Sequence, residues 1–266
     1  MLEVRNVRKT FNKGTVNEKK ALRGINLVLN DGDFVTIIGG NGAGKSTLLN
    51  MIAGAYPVDS GVITINGENI TKMPEYKRAK YIGRVFQDPK KGTAADMQIE
   101  ENLALAFRRG NRRRLSWAVT QRERAFYRDA LERLGLGLQG RMTSKVGLLS
   151  GGQRQALTLL MATLKRPQLL LLDEHTAALD PKTAAKDLKL TREIVESDSL
   201  TALMVTHNMN DAIAIGNRLI MMDEGRIIYD VAGEEKKQLT VEDLLRKFEE
   251  ASGGSFANDR MILSHR

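Results

Sequence analysis

Residues 39–47 read Gly39-Gly40-Asn41-Gly42-Ala43-Gly44-Lys45-Ser46-Thr47 and fit the pattern G-x-x-x-x-G-K-[ST] of phosphate-binding loops. The loop follows the continuous apolar run Phe34–Ile38, which is typical of a central buried strand. After it, Ser46–Ala53 has the periodicity of a helix, and Gly54 is placed to end that helix. A strand before the loop and a helix after it form the setting in which such a loop binds polyphosphate.

The residue types in this loop explain how it would hold phosphates. Glycines let the backbone N–H groups turn toward phosphate oxygens where a side chain would obstruct, and the following helix adds its positive N-terminal field. Lys45 can reach the β- and γ-phosphates, and the Ser46 hydroxyl can ligate Mg²⁺. The alternative is a glycine-rich turn with a chance lysine, which leaves the strand–loop–helix setting unexplained.

Two adjacent carboxylates end a second apolar run. Leu169–Leu172 is predicted to be a buried strand, and Asp173 and Glu174 follow it directly. Asp173 can hold Mg²⁺, directly or through water, and Glu174 can polarise an attacking water. By itself such a pair would most simply be surface acids; together with residues 39–46 it predicts hydrolysis of a nucleoside triphosphate.

The rest of the chain suggests one α/β domain with an inserted helical lobe. Strand patterns occur at Leu2–Val7 and Ala21–Leu29, and a hairpin is predicted from Arg218 to Tyr229. From about Ile99 to Leu164 the periodicity is helical, and Arg122–Leu134 is the clearest amphipathic helix, with Phe126, Ala130, Leu131 and Leu134 as its apolar positions. We place the domain at residues 1–230, the lobe at about 89–164, and a C-terminal helix and tail at 231–266. Thr240 is predicted to cap that helix, which would run over Val241–Ala251.

The amino-acid composition excludes several kinds of site and function. The 266 residues are 42% hydrophobic, 27% charged and free of cysteine, which excludes disulfides and thiolate metal sites. No apolar run approaches the roughly 20 residues that a membrane-spanning helix needs, so a membrane role would require a partner protein. The net charge of +9 includes the cluster Arg108–Arg114, which fits a solvated surface or a docking or lipid-facing surface. Specific nucleic-acid binding is not expected.

A third motif connects this chain with a known family. Leu149-Ser150-Gly151-Gly152-Gln153 precedes a predicted helix and resembles the signature motif of the ABC ATPases. The family's motifs occur here in the family's order: Phe11, residues 39–47, Gln87, 149–153, Asp173-Glu174, Asp180 and His207. The resemblance spans about Leu2 to Tyr229. It implies an ABC-type P-loop (RecA-like) core with an N-terminal antiparallel β subdomain and an inserted helical lobe.

The resemblance also implies roles for single residues. Phe11 would stack on adenine, although the family prefers tyrosine there; Gln87 would contact Mg²⁺ and the attacking water; and His207 would contact the γ-phosphate and orient Glu174. Ser150, Gly151, Gly152 and Gln153 would bind the γ-phosphate held by the opposite subunit, and Asp180 would link the two sites across the dimer. His175 stands where many members have proline. The alternatives are a loop residue or a residue that tunes the site, and we favour the loop.

These roles imply partners and a location. Two copies would form a head-to-tail homodimer that buries two ATP molecules. The dimer would lie on the cytoplasmic face of the membrane and act on transmembrane permease subunits. Stretches such as Gln87–Leu105 are similar to bacterial importer ATPases of the branched-chain or aromatic amino-acid type, which work with a solute-binding protein. The alternatives are an exporter or lipoprotein-release ATPase, and a non-transport ABC protein acting on DNA or ribosomes.

Overall fold

The computed structural model describes residues 1–111 and 119–252. The strands are β1 (Leu2–Phe11), β2 (Lys19–Leu29), β3 (Phe34–Ile38), β4 (Ser60–Ile65), β5 (Glu68–Asn69), β6 (Ile82–Val85), β7 (Leu169–Asp173), β8 (Ala202–Val205), β9 (Arg218–Asp223) and β10 (Arg226–Ala232). The helices are α1 (Lys45–Ala53), α2 (Glu75–Arg78), α3 (Ile99–Phe107), α4 (Gln121–Glu132), α5 (Gly151–Thr163), α6 (Pro181–Ser197), α7 (Met209–Ala214), α8 (Gly233–Lys237) and α9 (Val241–Ser252). Arg112, Arg113 and Arg114 of the basic cluster, and the tail with His265, lie outside the described residues.

The chain divides into two compact units. The first comprises Met1–Arg78 together with the residues from Ser199 onward, and the second comprises Ala79–Asp198. The second unit therefore begins before, and ends after, the lobe expected at about 89–164. The domain limits derived from the sequence remain predictions.

The first unit contains two sheets. One is antiparallel, with strand order β2-β1-β4-β5, and is the N-terminal β subdomain expected from the sequence. In the other, β3 pairs in parallel with β8 on one side and β9 on the other, and β10 pairs antiparallel with β9. All five residues of β3 are buried, as the apolar run Phe34–Ile38 predicted.

The C-terminal helix is part of this first unit. Leu244 and Phe248 of α9 are buried in one apolar cluster with Met209 of α7 and with Met221 of β9. Thr240 caps α9 through its hydroxyl, which accepts a hydrogen bond from Asp243 N at 3.2 Å, as predicted. Within residues 1–111 and 119–252, no helix is long and apolar enough to cross a membrane.

The second unit packs its helices around one apolar core and contains the parallel pair β6–β7. Leu103 of α3, Tyr127 and Leu131 of α4, and Leu157 of α5 are fully buried in this core. Phe126 was predicted to lie on the apolar face of α4, and this was wrong, because Phe126 is 42% exposed. Tyr127, Ala130, Leu131 and Leu134 form the buried stripe, and Phe126 lies at its edge against Phe107, with ring centroids 5.3 Å apart.

Candidate functional site

The phosphate loop joins β3 to α1 and leaves the start of the helix open. Gly44 is the N-cap of α1 and has a φ of 101°, in the left-handed region that favours glycine. A Cβ there would lie 2.6 Å from the carbonyl oxygen of Ala21, so no other residue fits without a shift. Gly44 has no side chain to cap the helix, so the first turn of α1 has no side-chain cap. The N-terminus of a helix favours an anion through its N–H groups and its dipole.

Lys45 is fixed in this loop by the loop's own backbone. Its side chain is largely buried, at 5% exposure, and Nζ donates hydrogen bonds to Gly39 O at 2.7 Å and Gly40 O at 3.0 Å. Ser46 is exposed and Thr47 is half-buried on the same helical turn. The ammonium group is thus held beside the loop backbone, in reach of the anion that the loop would bind.

His207 follows the end of β8, at the same edge of the sheet as the phosphate loop. In the parallel pair β3–β8, Ile37 is opposite Val205, and Thr206 N donates to Ile37 O at 3.1 Å. Gly39 comes two residues after Ile37, and His207 two residues after Val205, so both follow the carboxyl ends of neighbouring strands. The fold of the first unit therefore brings the loop and His207 together.

Phe11 is connected with the loop through its cross-strand neighbour. Phe11 ends β1 opposite Lys19 at the start of β2, and its ring meets Tyr56 edge-to-face at 5.4 Å between centroids. The Lys19 ammonium reaches the loop, since a Cβ at Gly42 would lie 3.2 Å from Lys19 Nζ. Lys19 and Tyr56 were not among the site residues predicted from the sequence.

Gln87, Asp173 and Glu174 come together at one edge of the second unit. Val85 of β6 is opposite Leu172 of β7 in this parallel pair, so Gln87 and Glu174 each lie two residues beyond paired positions. Arg84, which the sequence analysis also missed, has its Nη2 3.8 Å from Asp173 Oδ2. Its guanidinium stacks over the Phe86 ring at 4.4 Å, which fixes it beside the carboxylate.

The turn that carries Glu174 is built around a buried histidine. Glu174 has a φ of 47°, and its carbonyl accepts a hydrogen bond from Ala177 N at 3.0 Å. His175 lies in this turn, as expected, but its side chain is only 2% exposed. Its Nε2 is 3.0 Å from Thr191 Oγ1 and 3.5 Å from Asp187 Oδ2. Burial lowers the pKa of His175 to about 4 and raises that of Asp187 to about 7, so the imidazole is neutral at physiological pH.

The signature residues begin α5 with a complete capping box. Ser150 Oγ accepts from Gln153 N at 3.3 Å, and Gln153 Oε1 accepts from Ser150 N at 3.2 Å. Gly152 allows α5 to approach α6 closely, since a Cβ there would lie 2.4 Å from Thr183 Cγ2. Asp180 caps α6 by accepting from Thr183 N at 3.1 Å, and the hydrogen bonds from Thr183 lower the pKa of its exposed carboxyl.

Comparison with known proteins identifies the family. The family model described as "ABC transporter" matches residues 22–177. The chain belongs to this family. Among the relatives of this ABC ATPase, the tyrosine transport ATP-binding protein of Clostridioides difficile is 45% identical, over 94% of this chain and 100% of the relative. The thiamine import ATP-binding protein ThiQ of Salmonella choleraesuis is 37% identical, over 79% of this chain and 84% of the relative.

A solved structure shares the fold. The ATP-binding cassette MJ0796, in a dimeric post-hydrolysis state bound to ADP and Pi, superposes with a TM-score of 0.74 at 30% identity. The match covers 87% of this chain and 98% of the cassette. These findings confirm the predicted fold class and the prediction of a nucleotide-binding ATPase of the importer type.

Proposed function

We propose that this ABC ATPase binds ATP with Mg²⁺ and, as a homodimer, drives a permease that imports an amino-acid-like solute. The observation that carries the proposal is the start of α1, where no side chain caps the first turn and the Lys45 ammonium is held beside the phosphate loop. Phosphate at an uncapped helix start is stabilised by the first-turn N–H groups and by the helix dipole.

Residues 39–47 would hold the triphosphate, and Phe11 would stack on adenine. Two features support the placement of the base. Phe11 is half-buried, with the Tyr56 ring at 5.4 Å and the Lys9 ammonium at 5.6 Å from its centroid, and it pairs with Lys19, whose ammonium reaches Gly42. An aromatic face next to a phosphate loop fits a purine nucleotide.

Ser46, Gln87 and Asp173 would provide hydroxyl, amide and carboxylate oxygens for Mg²⁺, a hard cation that prefers oxygen ligands. Bound Mg²⁺ would neutralise the charge that develops on the phosphate oxygens. Glu174 would accept a proton from the attacking water, Gln87 would orient that water, and His207 would contact the γ-phosphate. The adjacency of Gln87 and Glu174 at the ends of β6 and β7 supports their joint action on one water.

Homodimer formation would complete the site. Ser150, Gly151, Gly152 and Gln153 would contact the γ-phosphate bound by the partner copy, and Asp180 would connect the two sites. Ser150, Gly151 and Asp180 are exposed in the single chain, as such contacts need. The similar cassette MJ0796 is dimeric in its structure with ADP and Pi.

The transport role would require membrane partners. The relative with 45% identity is a tyrosine transport ATP-binding protein, which supports an amino-acid-like solute as cargo. We place the chain on the cytoplasmic face of the membrane, attached to permease subunits, with a solute-binding protein delivering cargo from the other side.

Mild-detergent purification of the tagged chain from native membranes, followed by mass spectrometry of its companions, tests this proposal. The Glu174→Gln variant is a second bait that should hold the ATP-bound assembly together. A multi-span permease and a solute-binding protein are expected. A permease without a solute-binding protein would indicate export or lipoprotein release, and ribosomal or DNA-associated companions would contradict a transport role.

A further inference from the structure

We infer that His175 is a positioning residue that fixes the Glu174 carboxylate for activation of the attacking water. The inference rests on the proposed function of Glu174 and deepens it. It concerns a side chain that touches neither nucleotide nor water in the proposed mechanism, and that acts by holding the adjacent residue.

The backbone at Glu174 requires support from its surroundings. A φ of 47° puts this residue in the left-handed region, which is unfavourable for a side chain larger than glycine. Such conformations persist where neighbouring contacts fix them, and they are concentrated at functional sites. The turn beginning at Glu174 has the hydrogen bond from Ala177 N to Glu174 O, and it runs to Asp180 at the start of α6.

His175 fastens the beginning of this turn to the side of α6. Its imidazole is buried, with Nε2 at 3.0 Å from the hydroxyl of Thr191, which is itself fully buried. Thr191 lies about three helical turns beyond Asp180, so α6 holds the turn at two separate points. Since His175 is bonded directly to Glu174, anchoring the imidazole to α6 restrains the peptide that aims the carboxylate of Glu174.

The polar character of this contact favours positioning over filling of space. Asp187 Oδ2 lies 3.5 Å from His175 Nε2, and its two buried oxygens have no hydrogen-bond partner among the described residues. Apolar side chains of similar volume would fill the same region without a desolvation penalty. A directed hydrogen bond to Thr191 fixes the orientation of the ring, which apolar packing does not do.

The test compares His175→Leu with His175→Gln by steady-state ATP hydrolysis. Gln can place a polar atom near the position of Nε2, whereas Leu fills the volume without a hydrogen bond. Because small misplacements of a catalytic group can lower rates by up to about 100-fold, we expect kcat to fall about tenfold or more in His175→Leu with KM for ATP within about twofold. His175→Gln should recover most of the lost kcat.

Thr191→Val removes the hydrogen-bond partner of His175 and leaves the imidazole in place, and it should also lower kcat. Thr163→Val is its matched control, because Thr163 is also a buried threonine but bonds its own helix at Leu159 O and Leu160 O. If His175→Leu does not fold, Thr191→Val decides the question. Unchanged kcat in Thr191→Val would then overturn the inference.

A double-mutant comparison separates this inference from the proposed function. In a Glu174→Gln background, His175→Leu should not lower the residual rate further, because it acts through Glu174. A normal kcat in His175→Leu, or equal loss in the Leu and Gln variants, overturns the positioning role while the role of Glu174 stands. Normal hydrolysis by Glu174→Gln itself would overturn both.

Discussion

The helices α1 and α5 both begin at a predicted phosphate contact, but they begin in opposite ways. At α1 the N-cap is Gly44, which has no side chain and a left-handed backbone. At α5 the N-cap is Ser150, and the capping box with Gln153 satisfies the first turn from within the chain. The start of α1 is open, meaning that no side chain caps it, and the start of α5 is closed by its own capping box.

This difference separates nucleotide binding by a single chain from closure of the dimer. A helix start with no side-chain cap presents its dipole to phosphate in the single chain, so nucleotide affinity of the monomer should depend on α1. At α5 a phosphate has to compete with, or add to, the Ser150–Gln153 hydrogen bonds. The start of α5 should therefore contribute to phosphate binding only when a partner copy presents its nucleotide.

Lys45→Ala should have the largest effect. It removes charge-assisted bonds to phosphate, each worth about 1.5–3 kcal/mol, so we expect monomer affinity for ATP to fall about 100-fold. Isothermal titration of the purified chain measures this, with Lys77→Ala as the control because Lys77 is exposed on α2. Unchanged affinity in Lys45→Ala would mean that the open helix start is not the nucleotide site.

Ser150→Arg should block closure and leave monomer binding nearly intact. A long cation at the start of α5 would occupy the space that the partner's nucleotide needs, while α1 is untouched. In a Glu174→Gln background with ATP, light scattering should show a dimer that disappears in the double variant, with ATP affinity within about threefold. Ser197→Arg adds the same side chain at the exposed end of α6 and should leave the dimer intact. A dimer that survives Ser150→Arg contradicts the trans arrangement.

Ser150→Ala should have a smaller effect, on stability. Loss of an N-cap hydroxyl destabilises a protein by about 1 kcal/mol, which corresponds to about 2–4 °C in Tm for a chain of this size. Thermal unfolding measures the shift, and Ser150→Asp, which retains a capping oxygen, should recover it. An unchanged Tm in Ser150→Ala would mean that the Ser150 hydroxyl does not stabilise the start of α5.

Asp180→Ala should give the smallest effect, and one that depends on pH. Hydrogen bonds from Thr183 lower the pKa of Asp180 in the folded chain. The stability from its ionised form is therefore present above the unfolded pKa of about 3.9 and is lost as pH falls through the folded value. The Tm difference between Asp180→Ala and the unmodified chain should shrink below about pH 4, while Asp180→Ser, an uncharged cap, should stay closer to the unmodified chain. A Tm difference that stays constant across pH would mean that the charge of Asp180 does not stabilise α6.

Local pattern was enough to predict most elements and the motif positions. Continuous apolar runs predicted β3 and β7, and Thr240 predicted the start of α9, because these signals come from neighbouring residues. Contacts set by pairing register were missed. Lys19 meets Phe11 only after a polar loop whose length does not reveal the register.

The burial of His175 was missed for a similar reason. Nothing in the turn sequence shows that its side chain points toward Thr191, which comes 16 residues later on α6. On α4, the periodicity predicted the helix but not which of Phe126 and Tyr127 faces the core, since adjacent residues differ by about 100° around the axis. The roles of the site residues stay predictions until variants are measured.

The most direct test of the account is to measure ATP binding and single-turnover hydrolysis on the same samples of the unmodified chain and Glu174→Gln. General-base catalysis contributes about 10²- to 10⁴-fold, so the variant should bind ATP normally and hydrolyse it at least about 100-fold more slowly. Hydrolysis by Glu174→Gln at the rate of the unmodified chain would contradict the assignment of Glu174 as the base.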